Sequence, residues 1–191
     1  MKDHDEMDRR AFLRAAGAMA AIAATGCTRA ATVGSPGASA AATVGAGRLP
    51  LGFSTLGSPK WTWTQTLDFA SAHGFAGIEL RGIQETMDLS KRPEFQPDRL
   101  AQSKRELAAH GLVVPCLGAS VNLHEQDTAK LAAAMAETRR FIDVASALGA
   151  PYVRVFGNTY VQGMSLEAVH AYIARGLREL GDYARPRGVM V

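Results

Sequence analysis

Glycine recurs in this chain at a near-constant interval. Gly74, Gly111, Gly149 and Gly188 are separated by 37, 38 and 39 residues. Each closes an alanine-rich stretch of helical spacing and opens a short apolar run. A glycine just past a helix is a common stop signal, because it accepts the left-handed backbone that other residues resist. Helix, glycine, strand, repeated at this period, implies a parallel sheet with right-handed crossovers. The last interval opens at Val189-Met190-Val191, where the given sequence ends.

The segments between the glycines can be placed one by one. Leu51-Gly-Phe-Ser-Thr-Leu56 reads as a first strand, bounded by proline and glycine. A loop with Pro59, Trp61 and Trp63 leads to a helix predicted over 64–73, with Trp63, Leu67 and Ala70 on one face. Gly77 to Arg81 is a second strand. Pro97 suits the first turn of a helix that runs to His110, with Gly111 as its stop. Leu112 to Leu117 is predicted as the third strand, although Pro115 counts against a central position because it lacks a ladder N–H. Residues 127–148 form the clearest helix, with Leu131, Met135, Thr138, Ile142, Ala145 and Leu148 in one stripe. Tyr152 to Phe156 is the fourth strand. Ser165 caps a helix whose Leu166, Val169, Ile173, Leu177 and Leu180 share a face.

Two α/β architectures fit this order. One is a partial (β/α)8 TIM barrel, with about four β/α units and the start of strand five. The alternative is a five-stranded doubly wound sheet. Side chains alternate faces along a strand, so Glu79 and Arg81 share one face of the second strand and oppose Ile78 and Leu80. Arg154 opposes Val153 and Val155 in the fourth. Ser120, Asn122 and His124 share a side if the extended conformation continues past the third strand. A doubly wound sheet buries both faces, where charge is costly, whereas a barrel has a wet mouth at the carboxyl ends of its strands. The chain has neither G-x-G-x-x-G nor G-x-x-x-x-G-K-[ST], so the nucleotide-binding doubly wound folds gain no support.

At 191 residues the chain has a one-domain length. Its net charge is +3, spread without a dense basic run, which argues against nucleic acid as a partner. Cys27 and Cys116 lie too far apart to read as a metal pair, and no stretch is long and apolar enough for a bilayer span.

The first residues read as an address. Asp8-Arg9-Arg10-Ala11-Phe12-Leu13-Arg14 resembles a twin-arginine export signal, followed by a mild apolar stretch from Ala15 to Ala24. An ordinary amphipathic helix starting near Asp8 is the competing reading. Ala24-Thr25-Gly26-Cys27 resembles a lipobox, which would make Cys27 the lipidated residue; cleavage at Ala38-Ser39-Ala40 is the other processing route. The resulting organisation is a signal over 1–26, a flexible Ala/Gly/Ser tether over 27–48 and a folded domain over 49–191. The expected destination is the periplasm or a lipid-anchored position at a membrane, with membrane contact through the signal or lipid alone.

Leu51-Gly-Phe-Ser-Thr-Leu56, Ser58-Pro59-Lys60-Trp61, Gly74-Phe-Ala-Gly-Ile-Glu-Leu-Arg81 and Gly149-Ala-Pro-Tyr-Val-Arg-Val155 together resemble the sugar phosphate isomerase/epimerase family. That family is the xylose isomerase-like TIM-barrel group, and the resemblance spans Leu49 to Val191. It implies a barrel using a divalent metal (Mn, Mg, Co or Zn) on sugars, sugar phosphates, sugar acids or cyclitols. The metal would polarise substrate oxygens while carboxylates move a proton off and onto carbon. The family's ligands are Glu, Asp, His and Glu from the second half of the barrel, the first of them at the end of strand five. None carries over to a residue of this chain, so no metal is expected to bind it well and no catalytic residue is assigned. The 191 residues by themselves are expected to be inactive.

The resemblance does place the first-half rim in the substrate pocket. Glu79, Arg81, His124, Arg154 and Asn158 occupy such positions, and Trp61 could stack on a sugar face. Each has a structural reading beside it. Glu79 and Arg154 could form an ion pair, Arg81 could cover the barrel mouth, His124 could sit in an exposed loop and Trp61 could pack over its own loop. Cys116 reads as a buried strand thiol. His73 and His110 precede helix-ending glycines and suit the helix dipole. His170 reads as a solvated helix residue.

Three rivals stand beside a sugar isomerase or epimerase. One is an exported carbohydrate-binding protein without catalysis, told apart by the absence of a carboxylate at the end of strand five in any longer form. An endonuclease-IV-like phosphodiesterase would need a histidine-rich zinc cluster and a basic stripe. An assembled half-barrel would self-associate through its open sheet edges.

Overall fold

The computed structural model describes residues 49–157 and 160–191. The predicted signal, with Arg9 and Arg10, and the tether, with Cys27, lie outside the described residues, as does Asn158. Four strands alternate with four helices in the described part. They are β1 (Gly52–Ser54), α1 (Trp63–Ala72), β2 (Gly77–Glu79), α2 (Leu100–Ala109), β3 (Cys116–Asn122), α3 (Thr128–Leu148), β4 (Tyr152–Phe156) and α4 (Leu166–Ala184).

The glycine interval is a backbone requirement. Gly74, Gly111, Gly149 and Gly188 have φ of +69°, +68°, +83° and +70°. A Cβ at Gly111 or Gly188 would meet no atom within 4 Å, so handedness rather than crowding selects glycine there.

Strand order decides between the two architectures. β1 pairs in parallel with β2, and β3 pairs in parallel with β4. Parallel bridges Gly77↔Val113 and Leu80↔Leu117 join β2 to the third segment, and Tyr152↔Met190 begins a fifth. The order therefore follows the chain, strand beside the next strand, with no reversal. A doubly wound sheet reverses direction at a switch point. Consecutive right-handed crossovers instead put every helix on one side and curve the sheet toward a barrel. Ile78, Leu80, Leu117, Ala119, Val121, Val153 and Val189 face that side and are buried. α3 packs against β3, β4, α2 and α4.

The third strand lies further along than predicted. Instead of Leu112–Leu117, the ladder occupies Cys116–Asn122. Pro115 has no N–H, so regular pairing starts just after it; before it, Val113 makes a lone bridge to Gly77. Ser120 and Asn122 consequently do share the inner side. Likewise α2 starts at Leu100, not in the turn after Pro97, and its Arg99 N-cap offers no side-chain bond.

The other helices start where their capping chemistry says. Thr62 and Gln65 form a reciprocal capping box on α1. Asp127 accepts from the N–H groups of Ala129 and Lys130, and Ser165 accepts from Ala168. Met135, Thr138, Ile142, Ala145 and Leu148 of the predicted α3 stripe are buried, together with Phe141. In α4, Val169 and Leu180 are buried, but Leu166 and Leu177 stay exposed. Among the described residues α3 is the main helical neighbour of α4.

Candidate functional site

The inner face of the strands changes character along its length. Toward the amino ends it is apolar and open, with Val113, Tyr152 and Met190 exposed. Toward the carboxyl ends it becomes polar. Ser54 pairs with Glu79, and Gly118 with Arg154. Arg81, two residues after Glu79, comes level with Gly118 because Leu80 bridges Leu117.

Arg81 is the most enclosed charge of this group, at 9% exposure. Its backbone N–H donates to the Thr55 hydroxyl at 2.9 Å, which ties the end of β2 to β1. Its Nη1 donates to the Gly118 carbonyl at 3.2 Å and to Ser120 Oγ at 2.7 Å. Its Nε is buried without a partner. Arg154 reaches the other way, with Nη2 3.4 Å from Glu79 Oε1. Both guanidiniums lie over Phe156, their carbons 5.3 Å and 4.9 Å from the ring centroid. Burial and the nearby Arg154 charge lower the Arg81 pKa, with Glu79 partly opposing them.

Gly118 makes this arrangement possible. A Cβ there would stand 2.4 Å from Arg81 Cδ and 2.9 Å from Arg154 Nη2. The small-residue run Gly118-Ala119-Ser120 therefore provides a floor over which two long cationic side chains converge. Cys116 lies beneath them in β3. Burial first, and then the Glu79 charge, raise its thiol pKa, so it stays protonated and weakly nucleophilic.

The structure brings together Glu79, Arg81 and Arg154 of the predicted pocket residues. It does not bring Trp61 to them. That ring packs 4.7 Å from Phe69 of α1, in a cluster with Phe53 and Phe75. His124 follows β3 with Nδ1 buried and unpartnered, and no hydrogen bond or ion pair joins it to the arginines. Trp63 is structural, donating from its indole to Glu106 at 2.7 Å and meeting Phe95 edge-on. Gly118 and Phe156 were not legible as pocket residues. Strand parity was the available signal for Phe156, two positions after Arg154.

Among the described residues no three His, Cys, Asp or Glu side chains are placed to hold a metal. Glu79 is the cluster's one carboxylate, and it stands beside two cations. The described residues therefore do not fit a divalent ion.

Consecutive parallel strands, helices on one side and a polar inner face at the carboxyl ends define an arc of a (β/α) barrel. The model for xylose isomerase-like TIM barrels matches residues 67–191, more than half of the chain, and the chain belongs to that family. Solved structures agree on the fold. The IOLI protein with a bound zinc atom superposes with a TM-score of 0.61 at 21% identity, over 74% of this chain and 49% of that one. D-psicose 3-epimerase in the presence of D-fructose gives 0.55 at 18% identity, over 72% and 49%. A xylose isomerase-like TIM barrel protein from Mycobacterium smegmatis in complex with magnesium gives 0.52 at 20% identity, over 73% and 53%. The chain thus spans about half the length of these structures. No curated protein matches the sequence.

Proposed function

We propose that this chain supplies the first wall of the substrate pocket in a metal-dependent sugar isomerase or epimerase. The observation that carries the reading is the Glu79–Arg81–Arg154 cluster at the carboxyl ends of the strands, in a chain of this family. Active sites of such barrels are built at that end. The zinc- and magnesium-bound structures of similar fold support a divalent metal. The residues described here contribute binding and orientation. Glu79 can accept from sugar hydroxyls, Arg154 can donate to them, and the Phe156 ring packs against both guanidinium groups.

The test is solvent deuterium exchange into D-fructose and D-ribulose, using a form of the protein extended to the length of the similar structures. Label is expected at the carbon beside the carbonyl, and a chelator is expected to abolish it. Arg154→Met should slow exchange by about tenfold or more, the loss of one charged donor. Sugar binding with no exchange under any divalent metal would overturn catalysis and favour the non-catalytic binder.

We propose further that the protein is exported by the twin-arginine route and processed at Cys27, on the strength of Arg9-Arg10, the apolar stretch and the lipobox-like Ala24-Thr25-Gly26-Cys27. Replacing both arginines by lysine is expected to keep the protein in the cytoplasmic fraction, and Cys27→Ser to abolish fatty-acid labelling. Undiminished export of the double-lysine form would rule the signal out.

A further inference from the structure

We propose that Glu85 is a further ligand-contacting residue of this pocket, carried to the rim by a strained turn that glycine would suit better. This rests on the sugar-site reading above and adds to it a residue outside the Glu79–Arg81–Arg154 cluster.

The chain turns sharply just after Arg81. Ile83 and Thr86 exchange both backbone bonds, at 3.1 Å and 3.0 Å, so the turn between them holds two residues. Those residues are Gln84 and Glu85, with φ of +47° and +61°. Positive φ at both central positions is the signature of a type I′ turn, which selects Asn-Gly and similar pairs. A side chain held there brings its Cβ against the following carbonyl oxygen. Among the described residues these are the two non-glycine positions with positive φ, and they stand side by side.

Bonds on two sides keep the turn closed. The Glu85 N–H donates to the Pro59 carbonyl at 2.7 Å, which ties the turn to the loop between β1 and α1. Arg92 donates to the Gln84 side-chain oxygen and grips Glu94 with bonds of 3.1 Å and 2.8 Å. The Glu94 carbonyl in turn accepts from the Ser103 hydroxyl of α2 at 2.6 Å. Gln84 therefore has a structural task for its side chain. Glu85 has none among the described residues: its contribution to the turn is a backbone N–H, which glycine supplies equally.

The Glu85 side chain is exposed and lines one small cavity with Arg81, Thr55, Pro59 and Met87. That cavity lies at the carboxyl ends of β1 and β2, beside the charged cluster. Strained backbone of this kind collects at ligand clamps, where the side chain it presents has a use that outweighs the strain. A carboxylate is an acceptor with two oxygens and about four lone-pair sites, suited to adjacent hydroxyl donors. Glu85 so placed accepts from sugar hydroxyls at the edge of the pocket.

Urea unfolding of the 191-residue chain tests the strain, and sugar kinetics of the form extended to the length of the similar structures test the contact. Glu85→Gly keeps the N–H and relieves the backbone, so the folded-to-unfolded ratio should rise by about threefold or more. Glu85→Gln keeps the strain and removes the charge, so that ratio should stay within about twofold of wild type. In the extended form both variants should raise KM for deuterium exchange into D-fructose or D-ribulose by about tenfold, with kcat near wild type, the pattern of lost uniform binding.

A merely structural turn predicts the gain in stability without the rise in KM. An unchanged or lower folded-to-unfolded ratio in Glu85→Gly would overturn the strain, and wild-type KM in Glu85→Gln would overturn the contact. The two readings fail separately. If the extended form binds sugar yet exchanges nothing under any divalent metal, the isomerase reading falls alone, and a tenfold loss of equilibrium affinity in Glu85→Gln, the size expected above, upholds this one. Full exchange with wild-type KM in Glu85→Gln sinks this one alone.

Discussion

A Gly118→Val chain is expected to lose the Arg154–Glu79 contact while keeping its fold. The β-carbon would fall 2.4 Å from Arg81 Cδ and 2.9 Å from Arg154 Nη2, closer than real β-carbons approach. Arg81 cannot yield without breaking its bonds to the Gly118 carbonyl and Ser120. Overfilling a packed position costs about 1–3 kcal/mol. Here part of that strain can be relieved by pushing Arg154 outward, since it is half open to solvent. Urea unfolding should show the stability loss. In a form extended to the length of the similar structures, solvent deuterium exchange into the sugar should fall by about tenfold or more, as one guanidinium is displaced. Wild-type exchange in this variant would mean that the two arginines do not act over Gly118.

Phe141→Ala is expected to cause the larger loss of stability. Phe141 sits in α3 at 0% exposure, on the helix that packs against β3, β4, α2 and α4. Removing a buried phenyl ring costs about 3–5 kcal/mol, from lost transfer free energy and the cavity left behind. Domains of this kind are stable by about 5–15 kcal/mol in total, so the variant should unfold at much lower denaturant. A midpoint shift worth less than about 1 kcal/mol would show that neighbouring side chains collapse into the space.

The repeat was legible because its cause is local. Each left-handed glycine follows its own helix, and Thr62, Asp127 and Ser165 cap helices through bonds to residues two or three positions ahead. The extent of β3 was less legible. Pro115 excludes a donor, but how far pairing then runs depends on β4, which lies a helix away in sequence. The inward face of Glu79, Arg81 and Arg154 followed from parity. Their convergence did not, because it depends on register between strands and on the absence of a side chain at Gly118. Trp61 looked available for stacking on a ligand, but the sequence could not reveal the Phe69 ring that it meets.

The consecutive strand order also has a kinetic meaning. Among the described residues each strand pairs with the one made just before it, about one glycine interval earlier. Short loop closures are entropically cheaper, and topologies rich in them fold faster. During synthesis the newest strand presents one exposed sheet edge, and the next β/α unit to emerge covers it. The sheet can therefore assemble in the direction in which the ribosome reads, each unit docking on a template already in place.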